Sequence, residues 1–313
     1  MTDAPARVVF LGSGGFAVTT LYRLTHWGEV EVVGVVTAPD RPAGRGRKVR
    51  EVPVAGAARK HDLPLLQPAR IRAPEAIEAI RALQPELAVL ADYGQIVPQA
   101  ILDIPRRGIL NLHPSLLPRH RGASPIPATI LAGDVEAGVT LIEMDAGLDT
   151  GPIVAAERWR LVGDETASEL EARAAGVGAG LVVKWVGPWL RGEIAATPQP
   201  SEGATLTRPL RRDDGRLDPS RPASDLARQV RAFQPWPGSF VETVAGRLIV
   251  WEASVDDAAE AGAPGSFGPG PELRLATGEG WLVLDEVQPA GGRRMSGAEF
   301  LRGRPALARS RVG

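Results

Sequence analysis

Cysteine is absent from the 313-residue chain. That excludes disulfides, thiolate metal sites, iron–sulfur clusters and a cysteine nucleophile. Histidine is scarce: His26, His61, His113 and His120 are the whole set, so a metal centre built on clustered imidazoles is not expected. Lysine occurs only at Lys48, Lys60 and Lys184, leaving arginine to carry nearly all the positive charge. No apolar run approaches the roughly 18 residues that span a bilayer. No basic stretch followed by an apolar one stands at the N terminus. A cytoplasmic protein with no membrane partner is therefore expected. The net charge of -1 excludes a chain that binds nucleic acid simply by being basic throughout.

What is present is an ordinary globular composition, 44% hydrophobic and 23% charged, and a length that suggests about two domains. Apolar runs at Arg7–Gly12, Glu31–Thr37, Glu86–Ala91 and Gly108–His113 read as buried strands. They alternate with helical patterns at Phe16–Trp27, Val54–His61 and Pro74–Leu83. This βαβ alternation predicts a doubly wound, Rossmann-like α/β domain with a mostly parallel sheet. Gly138–Met144 and Ile153–Leu161 read as further strands, antiparallel at one edge, and Thr166–Leu190 as a long helix. Thr197–Pro209 is rich in Pro, Thr and Ser and reads as a linker. A helix at Ala223–Ala232 precedes short strands at Gly238–Val244, Arg247–Ala253, Glu272–Ala276 and Gly280–Val287. These predict a small β-barrel or sandwich. The expected division is residues 1–193, a linker at 194–209, and residues 210–313.

Two motifs invite chemistry. Gly12-Ser13-Gly14-Gly15-Phe16-Ala17 has the spacing of a dinucleotide fingerprint between a strand and a helix. The acidic residue such a site wants at the end of the second strand is missing, because Asp40 falls beyond it in the loop. The turn is therefore read as scaffold, with an NAD-dependent dehydrogenase as the rival reading. The second motif is Gly108–Ile126. Its strand carries Asn111 and His113 two residues apart, so both project from one face. Asn is an uncharged donor for a developing oxyanion, and His titrates near neutrality. The glycine-bracketed turn Met144–Gly151 presents Asp149, suited to orient a histidine or manage an amine proton. Each of these residues, taken singly, is more often a turn former or structural, and spacing alone does not bring Asp149 to His113.

Taken together the motifs carry a resemblance. Asn111-x-His113 with Ser115-Leu116-Leu117-Pro118, Arg121-Gly122-Ala123-x-Pro125-Ile126 and Asp145-x-Gly147-Leu148-Asp149-Thr150-Gly151 are similar to the 10-formyltetrahydrofolate-dependent formyltransferase family. Matches continue through the loop Pro39–Lys48, Tyr93-Gly94, Arg231-Ala232-Phe233-x-Pro235-Trp236-Pro237 and Gln288–Gly291, so the likeness covers nearly the whole chain. The loop and the C-terminal motifs narrow it to members that formylate an aminoacyl-tRNA. Departures are Pro114, where the family often has Gly, and the Gly12–Phe16 turn.

The resemblance implies an enzyme that transfers a formyl group from 10-formyltetrahydrofolate to the amino group of initiator methionyl-tRNA, for translation initiation. It implies Asn111, His113 and Asp149 as the catalytic trio, with Asp149 holding His113 charged against the oxyanion. It places Ser115, Leu116, Leu117 and Pro118 at the folate site, and Arg41, Arg45, Arg47 and Lys48 against the tRNA. It also implies an OB-like C-terminal barrel, no metal, no NAD and a monomer. Local charge agrees with an RNA partner: Thr37–Arg50 holds five basic residues against one acid, and Arg106–Arg121 four arginines and no acid. Rival readings are a sibling formyltransferase acting on a small amine, or a non-catalytic tRNA-binding protein.

Overall fold

A computed structural model describes residues 4–43, 48–256 and 262–312. In chain order the first elements are β1 (Ala6–Gly12), α1 (Gly15–Thr25), β2 (Val30–Val36), β3 (Arg41–Ala43), β4 (Lys48–Arg50), α2 (Pro53–Lys60), β5 (Leu65–Leu66), α3 (Pro74–Ala82) and β6 (Leu87–Ala91). They are followed by α4 (Gln99–Leu102), β7 (Ile109–His113), β8 (Arg121–Gly122), α5 (Pro125–Leu131), β9 (Glu136–Glu143), β10 (Ile153–Arg160), α6 (Ala167–Arg191) and β11 (Leu206–Thr207). The last are α7 (Ala223–Ala232), β12 (Ser239–Thr243), β13 (Gly246–Asp256), β14 (Arg274–Ala276), β15 (Trp281–Pro289), β16 (Met295–Ser296) and α8 (Gly297–Arg302).

The chain divides into two compact units. The first comprises residues 1–122, 136–159 and 171–207; the second comprises 123–135, 160–170 and 208–313. In the first, seven strands lie in the order β10-β9-β7-β6-β1-β2-β5. The pairs β5–β2, β2–β1, β1–β6 and β6–β7 are parallel, and β7–β9 is antiparallel. This is the predicted Rossmann-like sheet with its antiparallel edge. Every residue of β6 and β7 is buried. That is why these strands read as continuous apolar runs, since helices cover a parallel sheet on both faces. Burial leaves no room for polar side chains in such a strand unless a site needs them, and β7 carries two.

The second unit is built on an antiparallel sheet, β12-β13-β15-β14 with β16 added on β15. The register between β13 and β15 shifts on either side of Glu252, and such bulges bend a strand and help a sheet curl. The curl closes over Leu226 and Val230 of α7, Phe300 of α8, and Leu248, Val250, Leu282 and Leu284 of the sheet, all nearly inaccessible. The expected small C-terminal barrel is therefore a curled half-barrel packed on helices.

Some local expectations shift. The segment Pro39–Val52 reads as loop, yet its ends pair as a short hairpin, Arg41 opposite Arg50 and Ala43 opposite Lys48. Three-residue strands carry too little pattern to show in the sequence. The Pro-rich segment after residue 193 is tied down: Thr197 exchanges two backbone hydrogen bonds with Ile153, and β11 pairs with β8.

Candidate active site

Asn111 and His113 alternate along β7, so both side chains leave the same face of the sheet. The loop after β9 returns over that face and brings Asp149 between them. Asn111 Nδ2 donates to Asp149 Oδ1 at 3.0 Å. Asp149 Oδ2 lies 3.6 Å from His113 Nδ1 and accepts the backbone N–H of Gly122 at 2.8 Å. Asp149 adopts φ +50, a left-handed conformation that Asp tolerates better than most residues. It turns the carboxylate inward. The three residues of the expected trio thus meet.

The loop is fixed by what surrounds it. Gly151 has no room for a side chain: a Cβ there would run into the Glu143 carbonyl oxygen. Asp145 Oδ1 accepts from Gly147 N at 2.9 Å and from the Thr150 hydroxyl at 2.8 Å. Gln199, from the segment that reads as linker, donates to the carbonyls of Asp149 and Gly151 at 2.8 and 2.7 Å. Its Oε1 accepts from Arg121 Nη2 at 2.7 Å. Thr205 Oγ1 accepts the His120 N–H at 2.8 Å. Gln199 and Thr205 are supports that the sequence reading missed, because nothing local marks a Gln or Thr in a Pro-rich stretch as part of a site.

His113 is buried. Its Nε2 lies 2.9 Å from the His120 carbonyl oxygen, and its Nδ1 faces Asp149. Both ring nitrogens therefore face oxygen acceptors, and a neutral imidazole can donate to only one. Burial nevertheless dominates and pulls the His113 pKa below its ordinary 6.5, with Asp149 and the His120 carbonyl pulling the other way. Asp149, 3.6 Å from Nδ1, opposes that shift without reversing it.

Ser115 is buried, and its hydroxyl donates to the Arg119 carbonyl at 2.7 Å. Thr140 Oγ1 donates to the Ser115 carbonyl at 2.7 Å and accepts from Leu117 N at 3.2 Å. Leu117 is also buried, while Leu116 and Pro118 are half-buried. Ser115–Pro118 thus form a pinned turn directly after His113, with the serine hydroxyl spent on the turn. Arg41 and Lys48 stand at opposite ends of the β3–β4 hairpin; Arg45 and Arg47 lie outside the described residues.

The Gly12–Ala17 turn is committed elsewhere. Ser13 Oγ accepts from Ala38 N at 3.2 Å and from the Thr37 hydroxyl at 3.3 Å. The Gly14 N–H reaches the Asp92 carboxylate and the Phe16 N–H reaches Glu171. A Cβ on Gly14 would fall on the Asp92 carboxylate. Two carboxylates thus occupy the helix N terminus where a pyrophosphate would sit. Crowding by protein atoms and then Glu171 push Asp92 up to about 6, although Asp92 still presents surface to solvent. Asp40 accepts from Val52 N at 2.9 Å and pairs with Arg59 at 2.9 Å, so it is spent on its own loop. A cleft of about 350 Å³ between Leu66–Arg70 and α3 includes none of the trio. Among the described residues no group of three His, Asp or Glu could hold a metal ion.

The first unit is thus a mostly parallel α/β sheet whose strand β7 carries Asn111 and His113, met by Asp149 from the loop after β9. Residues 6–186 match the family model "Formyl transferase", and residues 209–305 match "Formyl transferase, C-terminal domain". The chain belongs to the formyl transferase family. Curated relatives include the methionyl-tRNA formyltransferases of Halorhodospira halophila, 46% identical over 306 residues (96% of each chain), and Myxococcus xanthus, 43% identical over 300 residues (95% of each). Among solved structures, an N-formyltransferase from Helicobacter canadensis, in complex with folinic acid and dTDP-3-aminofucose, superposes with a TM-score of 0.67. It is 16% identical and is covered over 93% of this chain and 100% of its own. HypX from Aquifex aeolicus with tetrahydrofolic acid gives 0.63 at 18% identity, over 94% of this chain and 46% of that one. No helix among the described residues is long and apolar enough to cross a membrane.

Proposed function

We propose that this protein transfers the formyl group of 10-formyltetrahydrofolate to the α-amino group of initiator methionyl-tRNA. The observation that carries this reading is the single carboxylate of Asp149, which binds Asn111 and faces His113 on β7, in a chain 43–46% identical to enzymes of that name over nearly their full length. The amine nitrogen attacks the formyl carbon, and the carbonyl oxygen takes up negative charge. Asn111 Nδ2 donates to that oxygen. His113 takes the proton that the attacking amine sheds, shares the load, and gives that proton up to the folate nitrogen. Asp149 holds both and helps the amine shed its proton. The C–N10 bond then breaks, the folate nitrogen takes up a proton, and the formyl group stays on the amine.

Residues 1–193 carry the chemistry in this reading. Residues 210–313, with Arg41, Arg45, Arg47 and Lys48 of the loop, serve the tRNA. The pinned turn Ser115–Pro118 lines the folate site. Neither metal nor NAD is needed, because formyl transfer moves no electrons and two carboxylates already fill the dinucleotide position. Such an enzyme works in the cytoplasm, as a monomer. The test is formyl transfer from 10-formyltetrahydrofolate to methionyl-tRNA by the purified chain. Turnover that His113→Ala lowers by on the order of 10²–10³-fold is expected. Transfer only to a small amine, or undiminished turnover in the variant, overturns the reading.

A further inference from the structure

Thr140 pairs with His113 across β7 and β9, and Gly138 lies against the Glu157 carbonyl. The Glu157–Trp159 end of β10 is therefore on the His113 end of the sheet. Here β10 and α6 enclose a cleft of about 310 Å³, lined by Glu157, Arg158, Trp159, Arg173, Val177, Gly180, Leu181 and Lys184. Arg173, Val177, Gly180 and Lys184 are spaced to share one face of α6, and Gly180 leaves the floor of that face open. Arg158 already faces Glu136 at 3.8 Å. Arg173 instead stacks over the Trp159 ring, 5.1 Å from its centroid, and Lys184 over Trp185 at 5.5 Å. Neither has an acidic partner among the described residues. The Trp159 indole N–H is buried and has no acceptor. The cleft thus offers two cations with no acidic partner, against the single acid Glu157. Its charge is complementary to an anion.

We propose that this cleft is a phosphate-binding track that holds the phosphodiester backbone of the RNA acceptor as it approaches the β7 site. The inference rests on the reading above, in which the acceptor is a tRNA. Two free cations set one above the other along a helix suit successive phosphates of a strand better than one compact anion. Arg173 and Lys184 are eleven residues apart, or roughly 16 Å along an α-helix.

The test compares the full-length wild type with Arg173→Gln/Lys184→Gln, measuring methionyl-tRNA affinity from low to high salt. Each lost phosphate contact removes about 0.7–0.9 from the log–log salt slope. The double variant is expected to lose about 1.4–1.8 in slope and to raise the KM for tRNA, with the KM for the folate donor and the melting temperature unchanged. Arg81→Gln/Arg191→Gln makes the same charge change on side chains paired with Glu78 and Glu193, and is expected to leave the slope unchanged. Equal slopes for wild type and the cleft variant, or equal losses in the cleft and control variants, overturn the track alone. Failure of the wild type to formylate methionyl-tRNA overturns the proposed function and the track with it.

Discussion

His113 Nε2 lies 2.9 Å from the carbonyl oxygen of His120, so the ring is held by backbone on one side and faces the Asp149 carboxylate on the other. Burial depresses its pKa below 6.5, and the folded state therefore resists a proton that the unfolded chain accepts. The sign follows: stability is greatest above 6.5 and falls as pH drops from there toward the folded pKa. His113→Gln is expected to flatten that part of the stability–pH curve. Nitrogen-15 spectra of the free protein at pH 7 are expected to show a neutral imidazole. A charged ring at pH 7 would sink this account.

Asn111 donates to Asp149 in the free protein and, in the proposed mechanism, to the oxyanion. Asn111→Ala is expected to lower kcat by on the order of 10²–10³-fold while costing about 1 kcal/mol of stability for a lost hydrogen bond. Single-turnover formyl transfer and chemical denaturation measure the two separately. A variant near wild-type turnover removes Asn111 from the chemistry.

Gly151 lets the loop pass against the Glu143 carbonyl. Gly151→Ala is expected to shift the Asp149 loop and destabilise the protein by about 1–3 kcal/mol. It should also lower kcat, because the carboxylate leaves its place. Unchanged kcat with an unchanged melting temperature would show the loop to be plastic.

Asp92 sits at the N terminus of α1 with its pKa at about 6, above the ordinary 3.8. The folded state holds a proton there that the unfolded chain has released, so the stabilising effect is full below about 4 and is lost as pH rises through about 6. Asp92→Asn keeps an acceptor for the Gly14 N–H and removes the charge. Its melting temperature should exceed that of the native protein at pH 7.5 and match it near pH 4. The gain is on the order of a few tenths of a kcal/mol, since solvent screens an exposed carboxylate. A variant less stable at pH 7.5 would mean the charge serves the helix dipole.

Strands and helices of the first unit follow from the sequence because their signals are local: continuous apolar runs for strands buried on both faces, and helical spacing between them. Asn111 and His113 stand out for the same reason, as polar residues in a strand with no room for them. The motifs around them carry the family likeness. Tertiary structure alone decided the meeting of Asp149 with them, 36 and 38 positions along the chain. It also drew Gln199 and Thr205 into the site from a stretch that reads as linker, and buried His113 so that its pKa is lowered. Alternation along a strand is fixed by backbone geometry, whereas a carboxylate on a returning loop, and the solvent a ring loses, depend on everything packed around them.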